Sequence, residues 1–566
     1  MKEFKIQIIE KVTGAYPSIK EVLGVETFEN PKNSDFGDIA LPCFKFAGIL
    51  KMPPVKIAEN FSLLFTGDKN FEKIVNINGY LNFKFNREEY IRLLCGEFRD
   101  GNIFNKLKTI GNNKTIVIDY SHPNIAKNMG IHNLRSTIIG QSIYNIHKFL
   151  GYNSIGVNHL GDWGTQFGKL MWALEEWSSF EEVEEKGILF LNDIYVRFHS
   201  EAEKDPCLEE SARIWFKKLE NNDHTAIKWW KLFIKVSMDA YDKIYERLNV
   251  KFDYITGESF YIRYLDETIK KLEEKNLTEI SEGALVVKFD ENENMPPCLL
   301  RKSDGATLYA TRDISAAMYR LTKFKPYKVI YVTDIAQELH FNQVFKVIEM
   351  YDPCSKGKFK HVKFGRLSFS DMQMSTRKGN IVPLNEVLDK ARDKAIEIIK
   401  ERNAVISDKA ETADKIGIGA VIFNDLSVSR IKNIEFDWDK TLSFEGETGP
   451  HIQYSFVRIL NILEKIEHFE TNIDYSLITD EYSYDLLRTI EQFENKIIQS
   501  CEENEPSVIA NYLLDLSKTF NRFYQNNRVV GVENDLQNSR AFLIKILQSV
   551  YAKCMDLLGI PIIDKM

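Results

Sequence analysis

Thr115-Ile116-Val117-Ile118-Asp119-Tyr120-Ser121-His122-Pro123-Asn124 passes from a β-branched run into a polar loop. Such a run reads as a short buried strand. Downstream, Ile139, Ile143, Ile146 and Leu150 recur at i, i+4, i+7 and i+11, the spacing of one helix face, and Gly151 stops the pattern. Ser154-Ile155-Gly156-Val157 is a second short apolar run. Strand, helix and strand make a β-α-β unit, whose natural product is a parallel sheet. Lys328 to Thr333 and His361 to Leu367 supply further strand candidates. The middle of the chain therefore reads as a doubly wound α/β domain.

Working outward, residues 1–110 mix helical and extended patterns and read as an α+β domain. Asn78-Gly79-Tyr80-Leu81-Asn82-Phe83-Lys84-Phe85 alternates like a half-buried strand, and Gly111-Asn112-Asn113 reads as a linker. The α/β domain is assigned to 111–385, interrupted by a charged helical insertion between about 175 and 250. From 386 to 566 strand signals fade. Leu513, Leu516, Phe520 and Phe523, and then Leu543, Leu547, Val550, Cys554 and Leu557, follow helical spacing, which predicts an all-α bundle.

The 566 residues are 44% hydrophobic and 28% charged, a globular composition. No run of about 18 apolar residues suggests a membrane span, and the opening Met1-Lys2-Glu3-Phe4-Lys5-Ile6 does not read as a secretory signal. Seven scattered cysteines without a C-x-x-C pair speak against a disulfide framework or a cysteine zinc site and for a reducing cytoplasm. With a net charge of −8, a nucleic-acid partner must be held by local basic patches.

In an open parallel sheet, ligands bind beyond the carboxyl ends of the strands. The polar clusters fall there: Asp119, Ser121, His122, Asn124 and Lys127; then Asn158-His159-Leu160-Gly161-Asp162-Trp163-Gly164-Thr165-Gln166-Phe167-Gly168; then Asp334, Gln337 and His340. With these stand Gly257-Glu258-Ser259-Phe260-Tyr261, Asp304 to Asp313, Met374-Ser375-Thr376-Arg377-Lys378-Gly379, and Ser443-Phe444-Glu445-Gly446-Glu447-Thr448-Gly449-Pro450. In this order and over nearly the whole chain, the segments resemble the arginyl-tRNA synthetases, a family of class I aminoacyl-tRNA synthetases.

The resemblance implies a Rossmann-like catalytic domain, an N-terminal domain that contacts the tRNA elbow, and a C-terminal helical domain that binds the anticodon arm. It implies arginine–tRNA ligase activity: ATP, with Mg²⁺, activates L-arginine to arginyl-adenylate, and the arginyl group passes to tRNA(Arg). The side chain of arginine is expected at Asp119, Tyr309 and Asp313, because a planar five-donor cation calls for carboxylates. Its α-amino and carboxylate groups are expected at Ser121, Asn124 and Gln337. Read without the family, Tyr309 and Asp313 are also a plain i, i+4 helix-face pair. His159, Gly161, Asp162, Met374, Ser375 and Thr376 align with ATP-binding positions, and Arg377 and Lys378 with the mobile cations that stabilise departing pyrophosphate. Gln373 replaces the leading lysine of that loop, and Lys127 stands where family members lacking it carry one. Tyr454, Asn521, Tyr524 and Met566 are the tRNA candidates, since aromatics interleaved with amides suit unpaired bases. No protein metal ligand and no membrane partner are expected, and the chain is expected to act as a cytoplasmic monomer.

One segment departs from the family. Between Asn124-Ile125-Ala126-Lys127 and Leu134-Arg135-Ser136-Thr137 the family has two histidines around a glycine; here Gly130, His132 and Asn133 take those places. Asn133 retains an amide donor and Gly130 has no side-chain donor. Losing a donor to a charge-building phosphate costs on the order of 100-fold in rate. Two readings follow: a working ligase, or a paralogue impaired in adenylation that binds tRNA or arginine as a regulator.

Overall fold

A computed structural model describes residues 1–31, 33–369, 382–401, 408–466 and 473–565. The chain forms two compact units. One comprises residues 106–457, 495–514 and 551–566; the other, residues 1–105, 458–494 and 515–550.

The larger unit is built on β1 (Thr115–Asp119), α1 (Ile131–Phe149), β2 (Asn153–Leu160), α2 (Thr165–Trp177), α3 (Phe180–Lys204), α4 (Cys207–Glu220), α5 (His224–Arg247), β3 (Tyr254–Gly257), α6 (Tyr309–Phe324), β4 (Lys328–Asp334), α7 (Glu338–Tyr351) and β5 (Phe359–Phe364). The five strands form one parallel sheet in the order β5-β4-β1-β2-β3. Strand order reverses at β1, whose neighbours are β2 and β4. The crevice beyond their carboxyl ends is where such sheets place ligands. In register, Asp119 at the end of β1 lies beside Tyr331 of β4 and Val157 of β2. Val117, Val157, Val329 and Tyr331 are buried and pack with Phe341 of α7. Burying each such side chain contributes about 1.5–3 kcal/mol.

The insertion between β2 and β3 is helical, as its composition predicts. Asp223 caps α5 by accepting from Thr225 N and Ala226 N, both at 3.0 Å, and Ser179 caps α3 through Glu182 N at 3.2 Å. The short strand β3 falls outside the sequence reading, because Tyr254-Ile255-Thr256-Gly257 is too brief to show a period.

The strand predicted over His361 to Leu367 is two strands. β5 ends at Phe364, and β6 (Leu367–Phe369) pairs in parallel with β7 (Ile434–Phe436), beyond α8 (Leu384–Glu401) and α9 (Lys409–Leu426). The chain changes sheets at Gly365, where a Cβ would lie 2.6 Å from Lys432 O. Only glycine permits that approach. Gly111-Asn112-Asn113, expected as a linker, is a packed turn: Gly111 N donates to Leu150 O at 2.7 Å and Asn113 N to Gly151 O at 3.0 Å.

The smaller unit holds a three-stranded antiparallel sheet, with Tyr80–Phe85 between Ile39–Pro42 and Phe71–Ile77. Asn78 and Gly79, read as the start of the strand, form its hairpin turn with φ of 52° and 82°. Within this unit Tyr90 donates to Glu491 Oε2 at 2.7 Å across 401 residues of sequence, and the N-terminal ammonium also meets Glu491. Phe520 and Phe523 are fully buried, as their spacing predicts.

Candidate active site

The loop after β1 is strained. Ser121 and His122 have φ of 82° and 53°, and Ala126 has 63°. Non-glycine residues in this region cost of order 1–3 kcal/mol each and persist where surrounding contacts over-determine them. Those contacts come from the next strand and from the insertion. Asn124 and Gly161 form a parallel bridge: Gly161 N donates to Pro123 O at 3.0 Å, and Ile125 N to Gly161 O at 3.1 Å. A Cβ on Gly161 would lie 2.1 Å from Asn124 Oδ1, so a side chain there would displace the Asn124 amide. From α5, Tyr241 OH reaches Asn124 O and Lys127 O, both at 2.6 Å, and Ser237 Oγ accepts from Ala126 N at 2.8 Å. The loop thereby turns the Asn124 side chain outward and leaves Lys127 half-buried, its Nζ 5.1 Å over the Tyr195 ring. Burial holds the Lys127 ammonium below its usual pKa.

Gly130 is the N-cap of α1. Its N–H donates to Asn133 Oδ1 at 3.0 Å, and Asn133 N donates to Gly130 O at 2.9 Å, a reciprocal cap. An amide that caps through oxygen presents its NH₂ elsewhere, and Nδ2 of Asn133 has no partner among the described residues. The His132 side chain is exposed, yet desolvation of its ring and the nearby Lys127 lower its imidazole pKa.

Beneath this corner lies a buried charge cluster. Asp119 Oδ2 pairs with Arg320 Nη1 at 2.6 Å, with 2% and 1% of the side chains exposed. Arg320 Nη2 is 3.3 Å from His159 Nδ1, and its guanidinium lies 5.1 Å over Tyr331. Asp119, expected to hold the side chain of arginine, thus already has a guanidinium partner within the chain. Its Oδ1 is buried without a hydrogen bond and faces His122 Nδ1 at 3.6 Å. Ser121 is also engaged internally, its hydroxyl hydrogen-bonded to Thr137 at 2.9 Å and Tyr245 at 2.8 Å. His159 stacks on Tyr261 at 5.4 Å, and burial pushes its imidazole down to about 4. It forms part of this floor. Asp162 accepts from Ser259 N at 2.8 Å and Ser259 Oγ at 2.5 Å, which commits its carboxylate to the turn after β3.

The open side is formed by α6 and α7. Tyr309 begins α6 and is 67% exposed. One turn on, Asp313 Oδ2 receives a hydrogen bond from His340 Nε2 at 2.6 Å. Burial resists the charge of Asp313, but the His340 bond, with His159 and Arg320 nearby, holds its carboxyl below the usual range. Gln337 is exposed at the entrance to α7. A cleft of about 1420 Å³ adjoins these residues, with Tyr309, Glu258, Arg312, Trp163 and Lys169 among its walls. Glu258 Oε2 accepts from Arg312 Nη1 at 2.8 Å; burial nevertheless raises its carboxyl to about 7.

Met374, Ser375, Thr376, Arg377 and Lys378 lie outside the described residues, as does Met566. In the smaller unit, Asn521 Oδ1 accepts from Arg458 Nη1 at 2.8 Å, and the same guanidinium lies 4.8 Å over the ring of Tyr524, which is 43% exposed. Tyr454, in the larger unit, packs against the cluster formed by Ala395, Ile416 and Val457.

Three family models match the chain in succession: "Arginyl tRNA synthetase N terminal domain" over residues 3–85, "tRNA synthetases class I (R), catalytic domain" over 102–438, and "DALR anticodon binding domain" over 452–566. The chain belongs to the arginyl-tRNA synthetase family. Among curated proteins, the synthetase is 42% identical to the arginine–tRNA ligases of Halothermothrix orenii and Alkaliphilus metalliredigens and 39% identical to that of Clostridioides difficile, covering 100% of both chains in each comparison. Among solved structures, the arginyl-tRNA synthetase of Plasmodium falciparum superposes with a TM-score of 0.78 at 27% identity, covering 100% of this chain and 99% of that one. That of Thermus thermophilus gives 0.81 at 24% identity over 100% of both and shares the fold.

Arg320, Tyr241 and Tyr245 escape a motif-based reading as site residues, whereas His340 already stood among the polar residues that follow β4. The others are helix-face residues until the sheet and insertion bring them inward.

Proposed function

We propose that this protein is an arginine–tRNA ligase that activates L-arginine with ATP and charges tRNA(Arg). The observation that carries the reading is its full-length similarity to curated arginine–tRNA ligases. The arrangement beyond β1, β4 and α6 supports the assignment of roles. Asp313, with Tyr309 beside it, receives the guanidinium of the substrate. His340 holds that carboxylate in place before binding. Asn124 and Gln337, both exposed, face the α-amino and carboxylate groups. The resident Arg320 neutralises Asp119, so Asp313 is the carboxylate free to select a cation.

In the first step the carboxylate of arginine attacks the α-phosphate of ATP, forming arginyl-adenylate and releasing pyrophosphate. Lys127, Asn133 Nδ2 and His132 border the phosphate corner, and Arg377 and Lys378 belong to the segment that follows β6. Preorganised donors of this kind stabilise charge that develops in the transition state. Mg²⁺ bound to the phosphates of ATP would add to that stabilisation. In the second step a terminal ribose hydroxyl of the tRNA attacks the arginyl carbonyl and AMP leaves.

Asn521 and Tyr524, set by Arg458, offer an amide and an aromatic face to unpaired anticodon bases; Tyr454 and Met566 complete the tRNA candidates, and the N-terminal sheet domain contacts the elbow. The enzyme works as a cytoplasmic monomer. Among the described residues no helix is long and apolar enough to cross a membrane. No observation favours the binding-only paralogue. The test is tRNA-dependent formation of arginyl-tRNA by purified protein. Charging with arginine and not with lysine is expected; tRNA binding without product above background would overturn the reading.

A further inference from the structure

Two stretches far in sequence from Gly130, His132 and Asn133, residues 364–367 upstream and 382–384 downstream, are both moored to the start of α1. The downstream stretch is joined by backbone. Gly130 bridges Pro383, with Ile131 N donating to Val382 O at 3.2 Å and Leu384 N to Met129 O at 2.8 Å. The upstream stretch is joined by one side chain. Arg135, in the second turn of α1 and 1% exposed, donates from Nη1 to Gly365 O at 2.7 Å and to Lys432 O at 2.9 Å. Those carbonyls belong to the two chain segments that run on into the paired strands β6 and β7. The Nε of Arg135 lies 3.0 Å from Asp425 Oδ2 on α9, and Asp425 is also 1% exposed. Its guanidinium sits 5.8 Å from the centre of the Phe364 ring.

A buried ion pair of this kind is weak evidence for stability, because desolvating two charges consumes most of their attraction. Apolar residues would hold α1 against α9 as well. They would not tie the two carbonyls to α1, which Nη1 does while Nε of the same rigid plane faces Asp425, a spread that the single point of a lysine ammonium does not reproduce. Gly365 reinforces the point. Its missing side chain lets Lys432 O come close enough for both acceptors to share one donor.

We propose that Arg135, held by Asp425, is a positioning residue for adenylate formation: it fixes the first turns of α1, which carry the ATP corner, against the segments leading into β6 and β7. It is buried and acts through α1. The proposal rests on the ligase reading above. A misplacement of about 1 Å in a catalytic group costs on the order of 100-fold.

The experiment compares wild type, Arg135→Lys and the double variant Arg135→Met/Asp425→Leu in tRNA-dependent ATP–pyrophosphate exchange, with thermal unfolding measured alongside. Arg135→Lys keeps a charge opposite Asp425; the double variant removes both charges and stays folded. Expected is a tenfold to 100-fold fall in kcat, roughly, with the KM for arginine and the Kd for tRNA within about twofold of wild type. Wild-type kcat in either folded variant overturns the proposal. So does a fall in which arginine KM and tRNA Kd worsen in step with kcat, the mark of a general loss of structure. If wild type itself neither exchanges nor charges, the ligase reading fails, a result distinct from active wild type with equally active variants.

Discussion

Replacing Asn133 by aspartate and, separately, by alanine divides two jobs that one side chain performs. Its Oδ1 caps α1 by accepting from Gly130 N at 3.0 Å; its NH₂, without a partner among the described residues, is the donor proposed for the phosphate. Alanine removes both. Losing the cap costs about 1 kcal/mol of stability. Losing a preorganised donor to a developing phosphate charge costs roughly 2.7–4 kcal/mol, or 100- to 1000-fold in kcat. Aspartate separates the terms. It accepts from Gly130 N as asparagine does, and a carboxylate at a helix N-terminus adds about 0.3–1 kcal/mol of stability. It donates nothing and brings negative charge toward ATP. The expected pattern is therefore a lower melting temperature with low exchange for Asn133→Ala, and an equal or higher melting temperature with exchange at least 100-fold down, roughly, for Asn133→Asp. The assay is ATP–pyrophosphate exchange with saturating tRNA, beside thermal melts. Wild-type exchange in Asn133→Asp would refute the assignment of Nδ2 to the phosphate.

Three further outcomes follow from the geometry. Asp313→Asn removes the charge that receives the guanidinium of the substrate, and a charged hydrogen bond is worth about 1.5–3 kcal/mol; the KM for arginine should rise by roughly tenfold to 150-fold while the KM for ATP holds, and an unchanged arginine KM would reject the pocket. Glu258, raised to about 7 from 4.5 by burial, binds its proton more tightly folded than unfolded. Its contribution to stability is complete below its unfolded pKa of 4.5 and is lost as pH climbs through about 7, so Glu258→Gln should flatten the decline in melting temperature over that window relative to wild type. Tyr524→Ala should weaken tRNA binding by about 1–3 kcal/mol if the ring stacks on a base, read as tRNA Kd by filter binding with arginine KM unaltered; unchanged Kd would remove Tyr524 from the interface.

The parallel sheet was legible because β1 and β4 carry β-branched runs bounded by polar loops, and the helical insertion because its caps and charges are local. The change of sheets at Gly365 was not: a single glycine between Phe364 and Arg366 shows no register, and its cause, Lys432 O, lies 67 residues away. At the site, the positions of Tyr309 and Asp313 followed from local order, since both sit in the first turns of α6. The partners that decide what each carboxylate is free to do were hidden. Arg320 reads as one basic residue on an amphipathic helix, and only folding places it on Asp119, 201 residues earlier. Asn133 shows the reverse case. Its cap is a contact over three residues, so the spacing from Gly130 contained it, but comparison with the family pattern drew the reading to its amide as a donor and away from its oxygen as a cap.

The pairing of Tyr90 with Glu491 sets a schedule for synthesis. Ribosomes add about 5–20 residues per second, so the 401 residues between them take roughly 20–80 s to make. Throughout that interval the first 105 residues exist without the helical segments 458–494 and 515–550 that complete their unit. The nascent N-terminal sheet must stay unaggregated while the entire catalytic domain is translated and folds. The last helices to emerge are thus the ones that finish the first domain to be made, and a chain truncated near its end would expose a defect at its beginning.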